Sequence, residues 1–297
     1  MDDVLSVPSN SDAVPEFNRG WRRHGGAAEP FLSYVEDDHA VNWSDELETL
    51  HEESSRSHFI DVWTRSAILA RLGVLPANSL IADLGCSTGY LLEDLRDSYP
   101  HATLIGVDLV GSGLRKAHVN VPDARLVQAD LCDLPLADAS VEAVVSANVL
   151  EHVPDDRAAL AEVRRVLRPG APAVIVVPAG PEIYDYYDRF LGHERRYGRG
   201  ELASKARHAG LDVIEDIHLG SLLYPAFWLV KQRNRRRHKN LQGAALEARV
   251  AHDIERTRDS YAGHVACRIE RVLLTRGLRL PYGIRSLVVA RRPASDG

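Results

Sequence analysis

Three aspartates stand at the ends of short apolar runs: Asp83 in SLIADL (79–84), Asp108 in TLIGVDL (103–109) and Asp130 in ARLVQADL (124–131). After the first run, Gly85, Cys86 and Gly89 complete the turn D-x-G-x-x-x-G. Glycines lack a Cβ, so the backbone can turn tightly there and a ligand can lie against it. The spacing is not the G-x-G-x-x-G that seats a pyrophosphate on a helix N-terminus. A carboxylate at Asp83 would repel a pyrophosphate and would suit an ammonium group. Asp108 can accept both hydroxyls of a ribose. Asp130, beside Leu131, can accept an exocyclic amine of a purine. A second concentration of chemistry lies in PEIYDYYDRFLGHERRYGRGEL (181–202), with Tyr184, Tyr187, Asp188, His193, Arg195, Arg196 and Tyr197. His193 is its natural general base, because an imidazole titrates near working pH.

The elements that position these residues follow a regular grammar. β-branched runs at 79–84, 103–109, 124–131, 141–149 and 171–179 alternate with amphipathic stretches at 89–98, 111–118 and 155–167. Apolar strands separated by helices predict right-handed crossovers and a parallel sheet covered on both faces. Ligands then sit at the carboxyl edge, where the aspartates are. A helix over 199–209 leads into LDVIEDI (211–217), and RSLVVARR (285–292) is the final strand.

The turn at 83–89, GVD (106–108), ADLCDLPLADAS (129–140), ANVLEHVPD (147–155) and LAEVRRVLRPG (160–170), in that order, resemble the class I S-adenosylmethionine-dependent methyltransferases of the small-molecule type. GHERRYGRGEL (192–202) looks like the GHxRRY element found after the fifth strand in many bacterial members. The resemblance covers roughly residues 60–217. It implies an α/β Rossmann-like fold, mostly parallel with the last strand antiparallel, and S-adenosyl-L-methionine as cofactor. Asp83, Gly85, Cys86 and Gly89 would meet its methionine part, Asp108 its ribose, and Leu109, Asp130 and Leu131 its adenine. Asn148 would face the sulfonium, and Arg65 is a candidate for the cofactor carboxylate. His193 and Tyr187 are the candidate catalytic residues. Tyr184, Asp188, Arg196, Tyr197, Tyr224 and Trp228 would line the acceptor pocket. The segment ANVLEHV is also similar to ubiquinone-pathway O-methyltransferases, in which acids and a histidine bind a divalent ion. Asn148 stands where that family has an additional acid, so no metal is expected.

The implied activity is methyl transfer to a small organic acceptor, most simply O-methylation of a natural product or a sugar- or lipid-linked metabolite. A cyclase or isomerase on the same fold, or a membrane-associated scaffold, are the alternatives. The domain reading is a flexible leader (1–30), N-terminal cap helices (31–72), the cofactor-binding core (73–217), a helical insertion acting as a lid (218–284), and a last strand and tail (285–297). In the insertion, YPAFWLVKQRNRRRHK (224–239) joins an apolar face to a basic end. Leu246, Val250, Ile254, Tyr261, Val265 and Ile269 form the stripe expected to be buried.

The chain has 297 residues and a net charge of -6, but the charge is segregated. Residues 1–66 hold 14 acids and 5 bases, and residues 231–297 hold 16 bases and 6 acids. The acidic front and the basic tail suit each other, within a monomer or across a dimer, and the tail equally suits an anionic substrate or peripheral contact with a membrane surface. No base-stacking pattern accompanies it, so a nucleic-acid partner is not expected. Met1-Asp2-Asp3 does not open a signal peptide, and no apolar run is long enough to span a bilayer. The three cysteines show no metal or redox spacing. A cytoplasmic monomer or homodimer is the expectation.

Overall fold

A computed structural model describes residues 4–8, 13–22, 27–35, 56–237, 243, 245–246, 248–250, 252–253 and 260–294. Its centre is an eight-stranded sheet in the order β10-β11-β9-β8-β5-β6-β7-β4. The strands are β4 (Leu32–Ser33), β5 (Leu80–Leu84), β6 (Thr103–Asp108), β7 (Arg125–Gln128), β8 (Ala143–Ala147), β9 (Pro172–Pro178), β10 (Asp212–Leu219) and β11 (Arg285–Arg291). Strands β4 to β9 pair in parallel, while β11 runs antiparallel to both β9 and β10. Every residue of β5 is buried, as a strand covered on both faces requires. The strand order reverses at β5, whose neighbours are β6 and β8. That reversal opens the crevice in which doubly wound sheets bind ligands.

Helices cover the two faces. On one lie α1 (Phe59–Leu72), α2 (Tyr90–Ser98) and α3 (Gly111–Asn120), whose Ile68, Leu92 and Leu114 join one buried cluster with Ile81 and Leu126. On the other lie α4 (Asp156–Val166) and α6 (Glu201–His208), whose Leu160 and Leu202 pack on Ala82, Val144 and Ile175. The Asp155 side chain caps α4 by accepting from the Ala158 amide at 3.0 Å. After β9 come a short 3-10 turn (Pro181–Ile183) and α5 (Tyr186–Phe190). The insertion between β10 and β11 carries α7 (Tyr224–Arg237) and α8 (Tyr261–Thr275).

Three expectations change. The leader is not featureless: β1 (Glu16–Phe17), β2 (Trp21–Arg22) and β3 (Ala28–Glu29) form a small antiparallel sheet. Trp21 is buried, and its indole N–H donates to the Leu126 carbonyl at 2.8 Å. The segment expected to begin the cap helices begins instead with β4, which adds a parallel edge strand beside β7. Residues 36–55 of the expected cap helices lie outside the described residues, as does Ile254.

The third change concerns α8. Of the stripe expected to be buried, Val250, ahead of α8, is buried, but on α8 itself Tyr261 is 82%, Val265 37% and Ile269 49% exposed. The buried face is Gly263, Cys267 and Glu270. Gly263 lets the helix close on the Phe59 ring of α1. The Glu270 carboxylate accepts from the Ser221 amide at 3.0 Å. Close approach and a satisfied buried carboxylate outweigh the transfer energy of the more apolar face.

Candidate active site

The turn after β5 is built by its glycines. Gly85 has φ 81° and Gly89 φ 85°, where side chains are strained. A Cβ on Gly85 would also overlap Val149. The Gly85 and Cys86 amides donate to the Val107 carbonyl at 2.7 and 3.1 Å. Asp108 ties the turn to the end of β6: its carboxylate accepts from the Ser87 amide at 2.8 Å and the Val110 amide at 2.9 Å. Each oxygen of a carboxylate has two acceptor sites, so Asp108 retains capacity for hydroxyl donors.

Asp83 is 1% exposed and its Oδ2 has no hydrogen-bond partner. Burial, reinforced by the nearby Asp108, pushes its pKa up to about 8. A buried acid in that state lacks a cationic or hydrogen-bonding partner. Leu131 is buried at the end of the next strand, while Asp130 is exposed and caps its own loop through the Cys132 amide at 2.8 Å. Cys86 is buried and Leu109 partly so. Asp83, Gly85, Cys86, Gly89, Asp108, Leu109, Asp130 and Leu131 therefore lie along the carboxyl ends of β5, β6 and β7. Arg65 pairs with Asp94 of α2 at 2.6 Å, donates to the Arg56 carbonyl at 3.2 Å and lies over the ring of Tyr90, the residue after Gly89.

Across the reversal, Asn148 follows β8 with φ 58°, a conformation asparagine tolerates. Its side-chain oxygen accepts from Arg285, at the start of β11, which also pairs with Asp61 of α1 at 2.9 Å. Arg285 and Asp61 escaped sequence reasoning. The first lies at the head of an apolar strand and the second near the start of a helix, and only the antiparallel return of β11 brings them together.

The loop after β9 is organised by Asp188, which is fully buried. It accepts from Arg196 Nε at 2.6 Å and from the Asp185 amide at 3.0 Å, and it pairs with His193 Nδ1 at 3.0 Å. These bonds and the nearby cations hold its carboxyl well below the usual range despite its burial. Burial lowers the pKa of His193, opposed by Asp188. The Asp188 carboxylate can only accept, so the Nδ1–H donates in that contact, and in the neutral ring the Nε2 lone pair is left over. Tyr184 donates to the His193 carbonyl at 2.7 Å, and Arg195 donates to the Val153 and Pro154 carbonyls at 2.8 and 3.0 Å. The Glu194 amide donates to the Glu151 carbonyl at 2.8 Å. His193 thus lies beside the turn after β8, and its ring meets that of His152 edge-on at 4.8 Å between centroids.

Other candidates take different roles. Tyr197 is fully buried and donates to Asp156 at 2.7 Å, so it belongs to the core and not to an acceptor pocket. Arg196 is buried, between Asp188 and the Ala179 carbonyl. Burial raises the Tyr187 phenol far above its ordinary value, which leaves it a donor and not a base. Tyr224 donates to Glu182, and its ring lies tilted against that of Tyr282 at 5.4 Å between centroids. Trp228 is 42% exposed on α7. The residue of α7 that turns inward is Lys231, which pairs with Asp185 at 2.6 Å and approaches Asp188 at 3.8 Å. A lone lysine in an apolar half-helix was the available signal, and it was read as part of the basic end.

Residues 82–175 match the family model described as "Methyltransferase domain". The malonyl-[acyl-carrier protein] O-methyltransferase of Hahella chejuensis is 42% identical over 93 residues, which is 30% of this chain and 33% of that protein. Phosphoethanolamine N-methyltransferase 2 of Haemonchus contortus, solved with S-adenosyl-L-methionine, superposes with a TM-score of 0.57 at 18% identity, over 84% of this chain and 57% of that one. The [4+2]-cyclase SpnF superposes with a TM-score of 0.51 at 16% identity, over 89% and 87% of the two chains. At such identities the structures share the fold alone. The chain spans between 33% and 60% of the length of the first curated relatives it matches. Among the described residues no helix is long and apolar enough to cross a membrane. The match over residues 82–175 shows a methyltransferase domain in this part of the chain, built on strands β5 to β9 whose order reverses at β5.

Proposed function

We propose that the chain transfers a methyl group from S-adenosyl-L-methionine to an oxygen of a small organic acceptor. The observation that carries this reading is the buried, half-unpartnered carboxylate of Asp83 beside the cradle at Gly85. An ammonium group answers that carboxylate, and ribose hydroxyls answer Asp108. When bound, the cofactor supplies a methyl group already activated on a sulfonium.

The chain's own task is then to hold and align the acceptor. Methyl transfer is a displacement in line with the leaving sulfur, so positioning alone removes much of the barrier. Asp188 fixes the tautomer and the orientation of His193, whose Nε2 can take the proton of an acceptor hydroxyl. Arg285, braced by Asp61, orients Asn148 at the reversal of strand order. Lys231, Arg235 and Gln232 of α7 bind the segment 182–188, and Asp253 meets the Tyr186 hydroxyl. These contacts support the insertion as a lid over an acceptor larger than a simple metabolite, such as a natural product or a sugar- or lipid-linked compound.

The test is cofactor calorimetry followed by turnover of methyl-labelled S-adenosyl-L-methionine against acceptor pools containing hydroxyls and carboxylates. Label appearing in acceptor, with stoichiometric S-adenosylhomocysteine, is the expected result. Tight cofactor binding with no demethylated product across the pools would favour the cyclase or isomerase alternative. No cofactor binding would refute the reading at its base.

A further inference from the structure

Glu151 is the second buried acid that the fold leaves unsatisfied. It is fully buried, and neither carboxylate oxygen has a hydrogen-bond partner. Leaving such a group unpaired is costly in either protonation state. What surrounds it is specific. Donor atoms of Glu151, His152 and His193 all lie within 4.8 Å of one another. Two of these residues are adjacent in the turn after β8. The third arrives from the loop after β9, pinned there by the Glu194 amide on the Glu151 carbonyl and by Arg195 on Val153 and Pro154.

We propose that Glu151, His152 and His193 bind a divalent first-row transition ion of the zinc class. One carboxylate and two imidazoles are the donor types such ions select, and three protein ligands leave a position open for another molecule. Asp188 already makes the contact that a metal-binding histidine needs on its far nitrogen, at 3.0 Å from His193 Nδ1. Metal–ligand distances near 2.0–2.1 Å put tetrahedral donors about 3.4 Å apart, so donor atoms within 4.8 Å of one another draw together by at most roughly 1.4 Å to close the set. The two cations nearest the cluster are neutralised locally: Arg196 by Asp188 and Arg285 by Asp61. This donor set is not the one expected from the ANVLEHV resemblance, which wanted an acid at position 148. Asn148 turns to Arg285, and the third donor comes 41 residues after His152.

For its consequence, though not for ion binding itself, this inference rests on the methyl-transfer reading. An ion with an open position lowers the pKa of a hydroxyl brought to it, taking over the task that Nε2 of His193 performs without it. The acceptors favoured are those that present an oxygen to that open position.

The full chain, treated with chelator and then titrated with cobalt chloride, tests the proposal by visible absorption and by calorimetry with zinc chloride. One equivalent should bind, without the thiolate-to-cobalt band that the cysteines would give. Glu151→Gln, His152→Gln and His193→Gln should each weaken binding by about 100-fold or more, while S-adenosyl-L-methionine affinity and circular dichroism stay unchanged. Absence of stoichiometric uptake by the unmodified chain overturns the proposal, as does uptake undiminished in Glu151→Gln. Should a variant fold poorly, the stoichiometry and spectrum of the unmodified chain still decide. Loss of cofactor binding in the unmodified chain would instead strike the methyl-transfer reading and leave the ion site standing.

Discussion

Asp83 offers a direct physical test of the cofactor edge. Its pKa is pushed up to about 8, so it carries a proton at neutral pH in the ligand-free protein. At pH 7 the protonated fraction is roughly 0.9. If the ammonium of S-adenosyl-L-methionine takes the place beside Oδ2, binding must expel that proton. Calorimetry in buffers of different ionisation enthalpy should therefore show release of about 0.9 proton per cofactor at pH 7. The affinity should also rise with pH. Between pH 6 and pH 7 the ionised fraction of Asp83 grows by about 9-fold, and the dissociation constant should tighten by the same factor. Above this window the cofactor's own amino group begins to lose its charge. The stability of the ligand-free protein moves the other way. The unfolded carboxyl ionises near 3.8 and the folded one near 8, so Asp83 favours the folded state fully below the lower value and loses that contribution as pH rises toward the upper. Asp83→Asn keeps the shape and removes the charge. It should abolish the proton release and cost about 1.5–3 kcal/mol, or roughly 10–150-fold in affinity. A buffer-independent binding enthalpy, or an unchanged affinity in Asp83→Asn, would refute the argument.

Three further outcomes are expected. Gly85→Val should abolish cofactor binding and lower stability in urea by about 2–5 kcal/mol, because strain at positive φ adds to overlap with Val149. His193→Ala should lower turnover by about 100-fold with cofactor affinity preserved, and a near-normal rate would assign the residue to loop structure. Lys231→Met removes the buried cation between Asp185 and Asp188, and denaturant unfolding should show a loss of about 3–5 kcal/mol together with a raised acceptor Michaelis constant.

The parts of the site legible in the sequence are those in which a few consecutive residues set the geometry. A strand, a glycine turn and a terminal aspartate are local, and the 83–89 turn could be read without knowing any neighbour. Asp188 and His193 were also recognisable, being five residues apart in one loop. The partners that finish the site were not, because they come from distant strands and helices. Arg285 lies 137 residues from Asn148, and Lys231 lies 46 from Asp185. Their spacing carries no signal until the sheet is assembled. The face of α8 was misread for another reason. Periodicity ranks faces by hydrophobicity, whereas Gly263 and Glu270 bury theirs by close approach to Phe59 and by capping the turn at Ser221. In the leader, Trp21 and Phe17 stand among polar and glycine residues, and nothing nearby announced Leu126 as the acceptor of the indole N–H.

The place of β11 in the sheet has a consequence for how the protein is made. It is the last of the described strands in sequence, yet it lies inside the sheet, between β9 and β10. A ribosome that has delivered residues up to 284 has delivered β10 without the partner to which it hydrogen-bonds. Strands β5 to β9 can meanwhile pair, with one edge of β9 open to other chains. That interval is the one in which edge-to-edge aggregation threatens. Completion of the sheet, and with it the arrival of Arg285 at Asn148, thus waits for residues 285–291, and the nascent domain holds an incomplete site until then.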